Sequence, residues 1–247
     1  MGHLDVMRYF QKVMRRADVD IAYSEGYSPH QLMSFAQPLS VGATSDGEYV
    51  DIVLAGESGF NTEGETVREH AAEEAFADSL KERINRVCHE GIKITDAMVL
   101  PEKAEKAMTL VAACAWRVAL REKAAKSLND AGDGSVLFRD FLAQPRITAR
   151  KKSKKGLTEP DIKPMIYRAD RDEDGVFHLL LKSGSEDNVK PALFLGAFLR
   201  YANAGDEEWY LEGDELKPSL LELHRVETYR SRHEETGLRL EPLIAKG

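Results

Sequence analysis

Residues 2–51 read GHLDVMRYFQKVMRRADVDIAYSEGYSPHQLMSFAQPLSVGATSDGEYVD, and the changes of pattern within this stretch decide the fold class. Leu4, Met7, Phe10, Met14 and Ala17 recur at helical spacing, which predicts an amphipathic helix over 3–17. Gly2 is placed to cap it, with Asp5 in the first turn and Arg15 and Arg16 in the last, where each charge suits the helix dipole. Val19–Tyr23 then reads as a short strand, and Ser24–His30 as a turn punctuated by Gly26 and Pro29. Leu32–Leu39 resumes an extended pattern. Beyond the glycines at 42 and 47, Glu48–Leu54 alternates apolar and polar residues as a half-buried strand does.

The grammar continues outward from there. Thr62–Val87 is expected to be a long helix, with Thr66 and Glu69, or equally Thr62 and Glu65, at capping-box spacing. Ile92–Leu100 is expected to be a strand. The resulting order, α-β-β-(β)-α-β, is that of a ferredoxin-like unit without its first strand, which suggests a natural start upstream of Met1. In the second half, Thr109–Leu120, Ile162–Ala169 and Val176–Leu181 read as strands. Glu122–Leu128, Val136–Leu142 and Pro191–Tyr201 read as helices. Leu220–Tyr229 is a further patterned stretch, and the charged end after it is expected to fray. The predicted fold is therefore α+β: two ferredoxin-like sandwich halves with largely antiparallel sheets, residues 1–105 and 106–247.

Composition narrows the function classes. The chain has 247 residues, 43% hydrophobic and 31% charged, with a formal charge of −8. That balance argues against a surface that coats nucleic acid throughout, while leaving room for a local basic patch. Cys88 and Cys114 are the two cysteines and no CxxC occurs, so the chain carries no iron–sulfur or zinc motif of its own. No apolar run approaches the roughly 18 residues a membrane span needs, and no signal pattern opens the chain. The expected location is the cytoplasm, away from membranes.

The useful chemistry clusters near the start. Arg8, Lys12, Arg15 and Arg16 share the polar face of the first helix, where Asp5 can pair with Arg8. Tyr23, Tyr27 and Phe35 interleave with Arg15, Arg16 and His30; aromatic faces beside guanidinium groups suit unpaired bases and their phosphates, and the same rings could equally be core residues of the hairpin. His3 and His30 could serve as acid, base or phosphate contact, with Asp5 and Glu48 as accompanying carboxylates. Ser24 and Ser28 lie beside His30 without a GxSxG elbow. Two histidines without a carboxylate at ligand spacing make no metal motif. A second feature is the run Arg150, Lys151, Lys152, Lys154 and Lys155, either a solvated hairpin or an electrostatic hand for a polyanion.

The pattern of the opening stretch resembles the bacterial domain-of-unknown-function 2344 family, also called radical-SAM-associated proteins. The matching positions are His3, Leu4, Asp5, Arg8, Arg15, Arg16, Tyr23, Ser24, Gly26, Pro29 and His30. They continue through Ser34, Phe35, Pro38, Leu39, Gly42, Glu48, Tyr49 and Asp51. Asp161–Ile166 and Asn188–Pro191 also look like the family's. Tyr27 stands where the family usually has phenylalanine, Gly2 where it has serine, and the family's leading strand is absent. The resemblance implies a setting beside a radical SAM protein, which would carry the iron–sulfur cluster and S-adenosylmethionine, and near RNA processing. It supplies no catalytic residues. The expected role is an accessory that binds RNA or substrate for that partner. The alternatives are an enzyme using His3 and His30 in an N-terminal cleft, or a purely structural subunit.

Overall fold

The computed structural model describes residues 2–56, 67–153, 156–184, 187–234 and 237–244. The chain divides into two compact units, Met1–Phe35 with Val50–Ala107 and Ala36–Tyr49 with Met108–Gly247. In chain order the elements begin α1 (His3–Arg16), β1 (Met33–Phe35), β2 (Thr44–Ser45), β3 (Val50–Ile52), α2 (Val67–Asn85) and the single turn α3 (Ala107–Leu110). They continue β4 (Val111–Leu120), α4 (Glu122–Ala131), α5 (Gly134–Ala143), β5 (Lys151–Ser153), β6 (Gly156–Thr158), β7 (Ile166–Arg171) and β8 (Phe177–Lys182). Last come α6 (Pro191–Tyr201), β9 (Leu221–Glu234) and β10 (Gly237–Pro242). The class is α+β.

In the first unit α1 starts and stops as its sequence dictates. The Asp5 carboxylate accepts the Gly2 N–H at 3.2 Å, satisfying one of the free amides of the first turn. At the other end the Val19 N–H reaches Met14 O and the Asp18 N–H reaches Arg15 O, the Schellman pattern, with Asp18 at φ 53° in the left-handed position. Arg83 of α2 adds its own cap by donating to the carbonyls of Ala17 and Asp18. The apolar stripe of Phe10, Val13, Met14 and Ala17 is buried with Val19, Ile21 and Ile84.

Two predicted strands of this unit take other forms. Val19–Tyr23 pairs only through isolated bridges, Ile21 with Leu54 and Tyr23 with Gln31. Ile92–Leu100 joins no ladder among the described residues; the Asn85 side chain bonds both the N–H and the C=O of Ile94, each at 2.8 Å, standing in for a neighbouring strand. Among the described residues the sheet of this unit is the antiparallel pair β1–β3. The expected caps at Thr62, Glu65 and Thr66 lie outside the described residues.

The second unit is built on a six-stranded sheet in the order β10-β9-β4-β8-β7, with β2 beside β9. All neighbours are antiparallel except β2 and β9, which run parallel through Thr44–His224 and Ser45–Arg225. The end of the chain, expected to fray, instead forms β10, in register with β9 from Gly237–Glu234 to Pro242–Tyr229. Helix α6 carries Pro at its first position and nine consecutive buried residues, Pro191–Leu199. A helix apolar all round must be covered all round. Phe138 of α5 meets Phe177 at 5.0 Å, Phe198 at 5.0 Å and Phe194 at 6.0 Å, edge to face. On α6, a Cβ on Gly196 would fall 1.7 Å from Asp214 O, so this position admits only glycine.

Candidate functional site

The first unit exposes the cations of α1 and two of its tyrosines. Arg8, Lys12, Arg15 and Arg16 are exposed on α1, one face at helical spacing. Arg8 approaches Asp5 at 3.7 Å with both side chains more than half exposed, a contact worth little in water. The Arg15 Nε donates to Gln11 O at 3.3 Å.

The turn that follows α1 is a closed loop. Ser24 N–H donates to His30 O at 2.9 Å, His30 N–H donates to Ser24 Oγ at 3.1 Å, and the Ser24 hydroxyl meets His30 Nδ1 at 2.8 Å. These three bonds tie the ends of residues 24–30 together. Gly26, at φ 106°, supplies the left-handed bend, and Tyr27 beside it is fully exposed. Tyr23 is half exposed. Neither ring belongs to the core, and the loop holding Tyr27 is set by its own hydrogen bonds.

The remaining sequence-selected residues have local tasks. His3 packs edge-on against Phe35 with ring centroids 5.9 Å apart, and Phe35 in turn meets Phe10 at 5.5 Å. Asp5 caps α1. Glu48 stands in the second unit, where both its oxygens take Arg225 Nη1, at 2.8 and 2.9 Å. Arg225 is 2% exposed, lies 4.7 Å from the centre of the Trp116 ring, and donates also to Gln37 O and Pro38 O. Around this pair the Tyr49 hydroxyl donates to Glu227 at 2.8 Å, and the Thr228 hydroxyl donates to Gly47 O at 3.0 Å. His224 bridges Thr44 at 2.8 Å and Asp46 at 3.0 Å. Residues 36–49 are thus clasped to β9 along their length. Sequence reading placed Glu48 with the N-terminal polar cluster because it could not see Arg225, 177 positions away.

The basic run is partly spent on structure. Arg150 donates to Asp214 from its backbone N–H at 2.7 Å and from its guanidinium at 3.0 Å, and Arg200 reaches the same buried carboxylate at 2.6 Å. Lys152 pairs with Glu212 at 2.6 Å. Lys151 has no ion pair among the described residues, and Lys154 and Lys155 lie outside them.

Against known proteins, the model of the family described as "Uncharacterized protein conserved in bacteria (DUF2344)" matches residues 1–191. The chain belongs to the DUF2344 family. No curated protein matches it. The DUF2344 match takes in α1, the 24–30 loop, the clasped segment and the whole approach to α6. No helix among the described residues is long and apolar enough to cross a membrane, and no group of three or more His, Cys, Asp or Glu among them is arranged to hold a metal ion.

Proposed function

We propose that this DUF2344 protein is an RNA-binding accessory that presents its substrate to a separate radical SAM enzyme. The observation that carries the reading is Tyr27: a fully exposed ring on a hydrogen-bonded loop, in the same unit as an arginine-lined helix face. An exposed aromatic has no packing role to explain it, and rings with nearby guanidinium groups are what unpaired bases and their phosphates use. In a chain of net charge −8 a helix face of four cations is a local exception.

The partner enters from the family resemblance, with the iron–sulfur cluster and S-adenosylmethionine on that partner. The two cysteines support this division. Cys88 follows α2 in the first unit, and Cys114 is a buried residue of β4 in the second. Burial pushes the Cys114 thiol above its ordinary value. We read the second unit as ferredoxin-like. This reading is supported by the succession β4, α4–α5, β7, β8, α6, β9 and by the sheet order β9-β4-β8-β7 with antiparallel neighbours, the split βαβ arrangement found in many RNA-handling modules. The likeness is one of fold only.

Electrophoretic and filter-binding titrations of the full chain against labelled single-stranded RNA test the proposal. Micromolar affinity that weakens with salt, and weakens about tenfold in Tyr27→Ala, is expected. Absence of RNA affinity at low salt overturns it.

A further inference from the structure

Beside the start of α6 the second unit holds two adjoining hollows that the reading above leaves unused. The outer groove, of about 490 Å³, is bordered by Lys151, Lys152, Lys190, Glu212 and Glu215 with Leu193 and Leu211. This size falls within the range of roughly 300–1,000 Å³ usual for small-molecule sites. An inner pocket of about 190 Å³ continues from it, bordered by Pro38, Ser40, Trp116, Val189 and the buried Arg225. Asn188 and Lys190 border both. Pro38 and Asn188–Pro191, from two stretches singled out by sequence, therefore border one pocket.

The charges and the polar groups say what fits. Among the described residues three lysines border the groove with two glutamates, and the pairs Lys152–Glu212 at 2.6 Å and Lys190–Glu215 at 2.8 Å leave Lys151 without an ion pair. One unit of positive charge matches one phosphodiester. Asn188 borders both hollows, and its amide can serve both the donors and the acceptors of a heterocycle. The inner pocket combines the apolar Pro38, Trp116, Val189 and Pro191 with the polar Gln37, Ser40, Ser183 and Arg225, a mixed lining that can stack a planar base and bond its edge.

We propose that this site takes a single nucleotide of an RNA chain, with the base in the inner pocket and the phosphodiester at Lys151. The proposal rests on RNA as the ligand, and it adds a second contact point on a different unit. Two variants at exposed or half-exposed positions test it: Ser40→Trp, which fills the mouth of the inner pocket, and Lys151→Glu, which removes that cation. Each is measured in the full chain with a fluorescent single-stranded RNA, with free mononucleotide as a competitor and circular dichroism as the check on folding. Photo-crosslinking of a 4-thiouridine oligomer, with the peptide identified by mass spectrometry, locates the base in the unmodified protein.

Both variants should weaken RNA binding about tenfold while folding normally. Crosslinks should fall on residues 37–40, Trp116 or 188–191, and mononucleotide should compete only weakly. Unchanged affinity in both variants, or crosslinks confined to the first unit, overturns the site and leaves the RNA-binding proposal standing. Strong competition by free mononucleotide overturns the assignment to an RNA chain. A protein with no RNA affinity removes both.

Discussion

Replacing Glu48 by glutamine tests the clasp that holds residues 36–49 in the second unit. Arg225 is 2% exposed and gives one Nη to both oxygens of Glu48, whose side chain is 27% exposed. Removing the partner of a buried charge typically costs about 3–5 kcal/mol, because the remaining ion is left uncompensated. Water reaches part of Glu48, and the carbonyls of Gln37 and Pro38 still accept from Arg225, so the lower end of that range, about 3 kcal/mol, applies. Urea unfolding followed by tryptophan fluorescence is the assay, since Trp116 and Trp209 both lie in the second unit. With a urea slope of about 2 kcal/mol per molar the midpoint should fall by about 1.5 M. The double variant Glu48→Gln/Arg225→Met should recover most of that loss, because no unpaired charge remains. A single variant whose midpoint stays within about 0.3 M of the parent would refute the reasoning, because that slope makes it a loss well under 1 kcal/mol.

Three further outcomes follow from the same geometry. Gly47→Ala should destabilise the second unit by about 2 kcal/mol or more in the same urea assay, because its Cβ would fall 2.6 Å from the Glu227 Cα. Asn85→Ala, which removes both bonds to the Ile94 backbone, should cost about 2 kcal/mol by thermal or urea unfolding and increase proteolysis within residues 92–100. The N–H groups of Val136 and Ser135 hold the Asp133 carboxyl below its ordinary value of 3.8. A depressed native value means the stabilisation is full above the unfolded value and is lost as pH falls through the native one. The lower melting temperature of Asp133→Ala should therefore be evident at pH 7 and should converge on the parent's below pH 3.8.

Elements whose ends are marked locally were legible in the sequence. Pro191 at the first position marks α6 without any tertiary information, whereas α5, expected from Val136, begins at Gly134, where Asp133 accepts its first N–H groups. Gly2 and Asp5 mark the start of α1 locally, as Pro191 does for α6. Distant pairings left no local trace. The alternation of Ile92–Leu100 is genuine, since Ile92 and Ile94 pack into the first core, yet a side-chain amide replaces the partner strand that alternation implies. Residues 36–49 read as part of the N-terminal half because chain proximity favours it. Arg225 and Glu227, nearly two hundred positions later, draw them into the other unit. The Arg150 run read as either a solvated hairpin or an electrostatic hand, because its partners Asp214 and Glu212 lie 64 and 60 positions away. A charged residue buried in a strand, such as Arg225 in β9, was the one available signal that a partner had to come from elsewhere.

The salt dependence of RNA affinity measures the central claim most directly. For single strands the logarithm of the binding constant falls with the logarithm of salt by about 0.7 for each phosphate neutralised. If the α1 face grips phosphates, Arg15→Glu/Arg16→Glu should weaken binding at every salt concentration and reduce the slope by about 1.4, two contacts' worth. The account is contradicted if the double variant, folded by circular dichroism, binds single-stranded RNA with the parent's affinity and the parent's slope.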